Sequence, residues 1–205
     1  ASNFGINGGW AGIRTTSAFV NKFAGMSNDS RGNFYTAGQS LEITNVGTFT
    51  EGYAIQKFKN VDVNGNPGSD ASGDFVDTDF PVFRLADAYL MYAECELRTG
   101  GSVSQATVNN INKLRVRAYG DITGNVTSGQ INLNFILDER ARELHWEGHR
   151  RTDLIRFGKF TGSSYIWPWK GGVASGSPTS SYRNLFPIPA NALSTNSNLQ
   201  QNPGY

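Results

Sequence analysis

His145 and His149 stand four residues apart with Glu147 between them, the spacing at which two imidazoles on one helix could face a single metal ion. A zinc hydrolase of the H-E-x-x-H type needs the glutamate directly after the first histidine. Here the order is His145-Trp146-Glu147-Gly148-His149, which aims the base differently, and no third ligand is evident. Glu139, Glu143 and Glu147 could in principle supply a carboxylate pair for glycoside hydrolysis, but that reaction wants two acids facing each other across a cleft. Acids on one arginine-rich helix are more often simply paired with it. Asp62-x-Asn64-x-Asn66 has the oxygen spacing of a calcium loop, yet Pro67 and Gly73 occupy the positions where an EF-hand needs glycine and glutamate. An Asn-Gly turn at Asn64-Gly65 accounts for it without metal, and a looser site using Asp62, Asp70 or Asp74 is the weaker alternative. Tyr165-Ile166-Trp167-Pro168-Trp169 packs three large aromatics into five positions. A sugar platform is one use of such a run, and indoles wedged against helices are another; packing is favoured.

These residues need elements to hold them. In Leu133–Lys159 the residues Leu137, Ala141, Leu144 and Gly148 form one stripe of a helix running to about residue 157. Asp138 precedes Arg142 by four, and Glu147 precedes Arg151 by four, so the opposite face reads as a solvated ladder of charge. The like-charge pair Glu139–Glu143 needs an arginine between its members. Asp79-Phe80-Pro81 opens an earlier helix through Leu85, Ala88, Tyr89, Tyr92 and Ala93, stopped by Gly100-Gly101. A second helix carries Val108, Ile111 and Leu114 to Tyr119-Gly120, capped by Ser102 with Gln105 or by Ser104. Together they make a hairpin of tetratricopeptide-like size, which cannot bury its own face unaided. Residues 1–78 read as a loop-rich segment, with a short helix near 16–22 and strands at 40–50 and 53–58. Residues 79–205 form a helical region and tail. Pro187 and Pro189 in that tail impose an extended run. The expected class is mainly α with long loops and a few short strands.

Eighteen basic against 17 acidic residues leave a net charge of +1, which implies no nucleic-acid partner. No run of 18 apolar residues is present to span a membrane. Cys95, the one cysteine, excludes an internal disulfide and falls in a helical pattern that predicts burial.

Three motifs occur in order. They are Phe83-Arg84-Leu85-Ala86-Asp87-Ala88-Tyr89-Leu90-Met91-Tyr92-Ala93-Glu94; Glu139-Arg140-x-Arg142-Glu143-Leu144 with Glu147-Gly148-His149-Arg150 and Asp153-Leu154-x-Arg156; and Leu185-Phe186-Pro187-Ile188-Pro189 with Asn198 to Tyr205. They resemble the SusD/RagB family of outer-membrane nutrient-binding lipoproteins, over its carboxyl-terminal half. That resemblance implies a SusD-like α-superhelical fold and a surface protein that captures an oligosaccharide or polysaccharide. It also implies delivery to a TonB-dependent (SusC-like) outer-membrane transporter, with no catalysis and no cofactor. It places the protein on the cell outer membrane through an amino-terminal lipid absent from this chain. The amino-terminal half of the same protein would then be a partner, and the hairpin would otherwise show a large apolar surface. In glycan-binding members the sugar meets a shallow aromatic site built from loops. The stretch Asn7–Arg14 fits that description best, with Trp10 as the stacking face and Asn7 and Arg14 as hydroxyl contacts. Two other classes stay open: a glycoside or zinc hydrolase using 139–149, and a helical protein-interaction module.

Overall fold

Leucine, alanine and isoleucine at helical spacing, broken at Gly100-Gly101 and at Gly120, give three long helices in the middle of the chain. The computed structural model describes residues 1, 4–9 and 12–205. In order, the regular elements are α1 (Ser17–Val20), β1 (Phe34–Tyr35), β2 (Ala54–Ile55), α2 (Leu85–Gly100), α3 (Gln105–Tyr119), α4 (Leu133–Leu144), α5 (Arg150–Arg156) and α6 (Ala190–Thr195). Short 3₁₀ turns fill several connections. The fold is helical with long loops, as the sequence implied. It divides into two compact units, residues 1–150 and 151–205. Among the described residues no helix is long and apolar enough to cross a membrane.

In the first unit α2 and α3 form the hairpin. Gly101 and Gly120 end them in the left-handed conformation at φ 73° and 78°, which glycine adopts without steric cost. Of the two caps open to α3, Ser104 is the one used; its hydroxyl accepts from the Thr107 amide. Ala86, Leu90, Ala93 and Leu97 of α2 meet Ile136, Leu137, Ala141 and Leu144 of α4, and Val108, Ile111, Leu114 and Ala118 complete the core from α3. The outer face of α2 is uncovered in this chain: Phe83, 87% exposed, begins a stripe that continues through Leu85, Met91 and Tyr92.

Several expectations are corrected. The first long helix, α2, begins at Leu85, not near Pro81, because Arg84 is extended (φ −150°, ψ 157°) and its guanidinium is held by the carboxylates of Glu143 on α4 and of Glu147 beyond it. Cys95 is exposed rather than buried. Both faces of α2 are apolar, so periodicity could not tell which one is covered. The strand expected at 40–50 is a pair of turns. The Glu51 carboxylate accepts from the Thr44 and Asn45 amides at 2.6 and 2.8 Å, and the Asn45 side chain accepts from Gly47 N at 2.9 Å. The second expected strand shrinks to β2, antiparallel to β1.

In the second unit Trp167 stacks on Phe160 with centroids 6.3 Å apart, and buried Lys170 sits over its ring at 4.6 Å. The Lys170 ammonium donates to the Gly162 and Tyr165 carbonyls at 2.9 and 2.7 Å. These aromatics pack the loop, as favoured from the sequence. In the tail the Gln201 amide bonds both backbone groups of Ile188, at 2.8 and 2.9 Å, which holds the proline-flanked run extended.

Candidate functional site

The site is assembled around a 3₁₀ turn, Ser30–Gly32, whose preceding residue Asp29 accepts from the Arg31 amide. The same carboxylate grips the Arg31 guanidinium in a two-pronged pair at 2.8 and 2.6 Å. A Cβ on Gly32 would lie 2.8 Å from the Phe23 ring, so only glycine lets the turn approach this closely. Arg31 then reaches Glu139 at 2.9 Å and Glu143 at 3.0 Å, both on α4. Glu139, fully buried, also accepts from Arg115 and Arg142 at 2.8 Å. Glu143 takes Arg84 at 2.5 Å and Arg117, and Glu147 takes Arg84 at 2.6 Å and Lys57.

The face of α4 that reads in sequence as solvated is therefore a buried ion-pair cluster. Asp138 pairs with Lys22, not with Arg142. Burial by itself would push the Glu139, Glu143 and Glu147 carboxyls up. The surrounding cations outweigh it and hold all three below the ordinary carboxylate value. None is the raised acid that glycoside hydrolysis would use.

The long helix expected through residue 157 breaks at its middle. α4 stops at Leu144, His145 is extended, Trp146 is left-handed at φ 62°, and Gly148 has φ 78°. The cause is long-range: the Lys57 ammonium takes the Glu143 and His145 carbonyls at 2.9 and 2.8 Å, and Arg84 takes the Glu143 carbonyl at 2.6 Å. Those cations satisfy carbonyls that further helical turns would otherwise use. The break removes the helical relation that would have aimed His145 and His149 at one ion. His145 instead packs on Phe19 at 5.1 Å, with Nδ1 2.9 Å from the Arg142 carbonyl. Burial first, then the Lys57 charge, lowers its pKa to about 4. No group of three or more potential metal-binding side chains occurs among the described residues. The Asp62 carboxylate is engaged by Asn64 and Asn66 amides at 2.8 and 2.9 Å, an Asx-type turn.

Two clefts flank this break and share Phe58 as a wall. One, of about 390 Å³, is largely apolar: Phe4, Ile6, Phe58, Phe80 and Trp146 line it, with Lys59, Thr78 and Asp79 at its edge. Trp146 is 45% exposed. A left-handed backbone at a large non-glycine residue costs on the order of 1–3 kcal/mol, so the surrounding structure must hold this indole where it is. The other, of about 360 Å³, is polar and is lined by Ser30, Asn33, Gln56, Lys57, Arg84 and Arg117 among others.

The residues expected to bind ligand fall differently. Trp10 lies outside the described residues. The Asn7 amide donates to the Ser72 carbonyl, and Arg14 donates to the Thr48 and Val46 carbonyls, the latter at 2.9 Å. Asn7 and Arg14 thus brace different loops, although Asn7 directly follows Ile6 of the aromatic cleft. Sequence reasoning missed Phe4, Phe58, Phe80 and Trp146. The one available signal was Trp146 two residues before Gly148 in a helix pattern.

The comparisons with known proteins agree with this architecture. The model of the SusD family matches residues 10–205. The starch-binding protein SusD of Bacteroides thetaiotaomicron is 41% identical over 167 residues, covering 82% of this chain and 28% of that protein. SusD-like protein P25 of Formosa agariphila is 42% identical over 107 residues, 51% of this chain and 19% of that one. Among solved structures, a SusD superfamily protein from Bacteroides vulgatus aligns over 94% of this chain and 39% of its own, with a TM-score of 0.66 at 24% identity. Surface glycan-binding protein A from Bacteroides fluxus aligns over all of this chain and 43% of its own, with a TM-score of 0.67 at 22% identity. This chain therefore spans well under half the length of these relatives, and it belongs to the SusD family.

Proposed function

We propose that this chain is part of a cell-surface saccharide-capture protein of the outer membrane, which hands its ligand to a TonB-dependent transporter and catalyses nothing. The observation that carries the reading is Trp146, a half-exposed indole held in a left-handed backbone over a cleft walled by Phe58 and Phe80. Sugar C–H faces stack on such rings, and exposed Lys59 and Asp79 at the rim supply hydroxyl partners. Family membership supports it, as does the starch-binding name of the 41% identical relative. Residues 1–78 contribute part of this face, and Asn7 borders it.

Affinity electrophoresis on soluble starch, pectin and xylan tests the idea. Trp146→Ala should weaken the bound case by at least about tenfold. Equal retardation of W146A and the native chain would move the site elsewhere. Trp10→Ala is the informative second variant: a loss there with none in W146A would favour the 7–14 stretch instead. Co-purification with a TonB-dependent barrel from solubilised outer membranes tests delivery, and its absence would remove that step.

The uncovered stripe Phe83, Leu85, Met91 and Tyr92 on α2 supports a second contact, with the amino-terminal portion of a longer protein. The 22.3 kDa chain alone should then self-associate. A monodisperse monomer in light scattering that also melts cooperatively would count against it.

A further inference from the structure

The polar cleft beyond Phe58 carries a charge imbalance that the fold does not use. Six cations meet in the cluster: Arg31, Lys57, Arg84, Arg115, Arg117 and Arg142. They face only four carboxylates, Asp29, Glu139, Glu143 and Glu147. Both oxygens of each acid are already engaged: those of Asp29 by Arg31, those of Glu139 by Arg31, Arg115 and Arg142, those of Glu143 by Arg84, Arg117 and Arg31, and those of Glu147 by Lys57 and Arg84. Among the described residues Arg117, which is 57% exposed, spends one Nη2 bond on Glu143 and none of its other donors on a second acceptor.

The same cleft is lined by Ser30, Asn33 and Gln56, whose side chains make no hydrogen bond to another described residue. The cleft volume of about 360 Å³ lies within the range of small-ligand sites. Phe58 lines this cleft and the Trp146 cleft alike, so the two lie side by side on the surface.

We propose that the captured saccharide is acidic, its carboxylate paired with Arg117 and its hydroxyls met by Ser30, Asn33 and Gln56, while an adjoining unit stacks on Trp146. A neutral sugar would leave the excess positive charge facing only water. A carboxylate would accept the remaining Arg117 donors in the two-pronged geometry that a guanidinium favours. The inference rests on the capture reading above and names the class of sugar.

Calorimetric titration of this chain tests it. The ligands are oligogalacturonate, oligoglucuronate and oligomannuronate, the fully methyl-esterified form of each, and maltohexaose. At least one acidic chain should bind, with its ester about tenfold or more weaker, and the gap should narrow in high salt. Arg117→Gln should lower affinity for that acid by a similar factor, with folding checked by thermal melt, and Arg117→Lys should retain part of the preference. Equal binding of acid and ester would overturn the proposal while leaving saccharide capture standing. So would binding of maltohexaose alone, or an R117Q variant that keeps the preference. Binding of none of the seven would overturn both. Should R117Q fail to fold, salt dependence and the acid–ester comparison on the native chain decide alone.

Discussion

Glu139→Gln should cost about 3–5 kcal/mol of stability and lower Tm by roughly 6–20 °C. The substitution keeps the shape of the side chain and removes only its charge. Glu139 is fully buried and is the common acceptor of Arg31, Arg115 and Arg142, so its loss leaves three guanidinium groups around a neutral amide. Building such a cluster need not stabilise a fold relative to an apolar core, because desolvating the ions is expensive. Breaking it is another matter, since the remaining charges stay buried without compensation. Lys113→Gln supplies the contrast: its side chain is exposed and bonds Asn110 on the same helix at 3.1 Å, and it should change stability by about 1 kcal/mol or less. Urea unfolding at neutral pH measures both. A loss below about 1 kcal/mol in E139Q would mean that water reaches the cluster and screens it.

Acid should unfold this protein early, and in two stages. His145 has its pKa lowered to about 4, so between there and its ordinary value of 6.5 the unfolded chain binds a proton that the folded chain refuses. Stability is therefore complete above that ordinary value and declines as pH falls toward 4, by about 3 kcal/mol from this group alone. Glu139, Glu143 and Glu147 also titrate below their unfolded value of 4.5. Their contribution is present above that value and is lost as pH drops through the lower folded pKa values. Both effects have the same sign. Unfolding free energy measured from pH 7.5 to 3.5 should fall first through the histidine range and then more steeply, and His145→Gln should flatten the upper stage. A free energy that stays level from pH 7 to 5 in the native chain would refute the histidine assignment.

The helices that make the frame were readable because their information is local. Ile111 and Leu137 sit on the stripes that periodicity picks out, and Gly100-Gly101 and Gly120 mark where α2 and α3 end; on α2 the stripe of Leu85, Ala88 and Tyr92 is the exposed face, and Leu90 is buried on the other. The interior of the charge cluster was not readable in that way. Acid-to-base spacings on α4 look the same whether the partner is one turn away or on another segment, and here Glu143 draws its partners from Arg31, Arg84 and Arg117. The awkward i, i+4 pair Glu139–Glu143 was the clue: Arg142 answers Glu139 from within the helix, and Arg31 from another segment bridges both acids. The end of α4 was illegible for a related reason. Lys57 and Arg84 capture its carbonyls from positions far upstream, and the sequence around Leu144 holds no stop of its own before Gly148. The aromatic cleft depends on that break, so it could not be seen until the break was. The three family motifs carried what periodicity could not, namely which fold these helices complete, while saying nothing of Trp146 or Arg117.

The cluster also determines the order in which this chain can become itself. Arg31 is separated from Glu139 and Glu143 by 108 and 112 residues, and Lys22 from Asp138 by 116. Closing loops of that length is entropically unfavourable until the contacts they bring are in place. As the polypeptide emerges from its amino terminus, Arg31, Lys57, Arg84, Arg115 and Arg117 all appear before a single α4 carboxylate does. Asp29 holds Arg31 within its own turn, but the links that tie Arg31, Lys57, Arg84 and α3 to one another form only once Glu139, Glu143 and Glu147 arrive. The ion-pair cluster is thus less a set of bonds added to a finished scaffold than the closing step that finishes it.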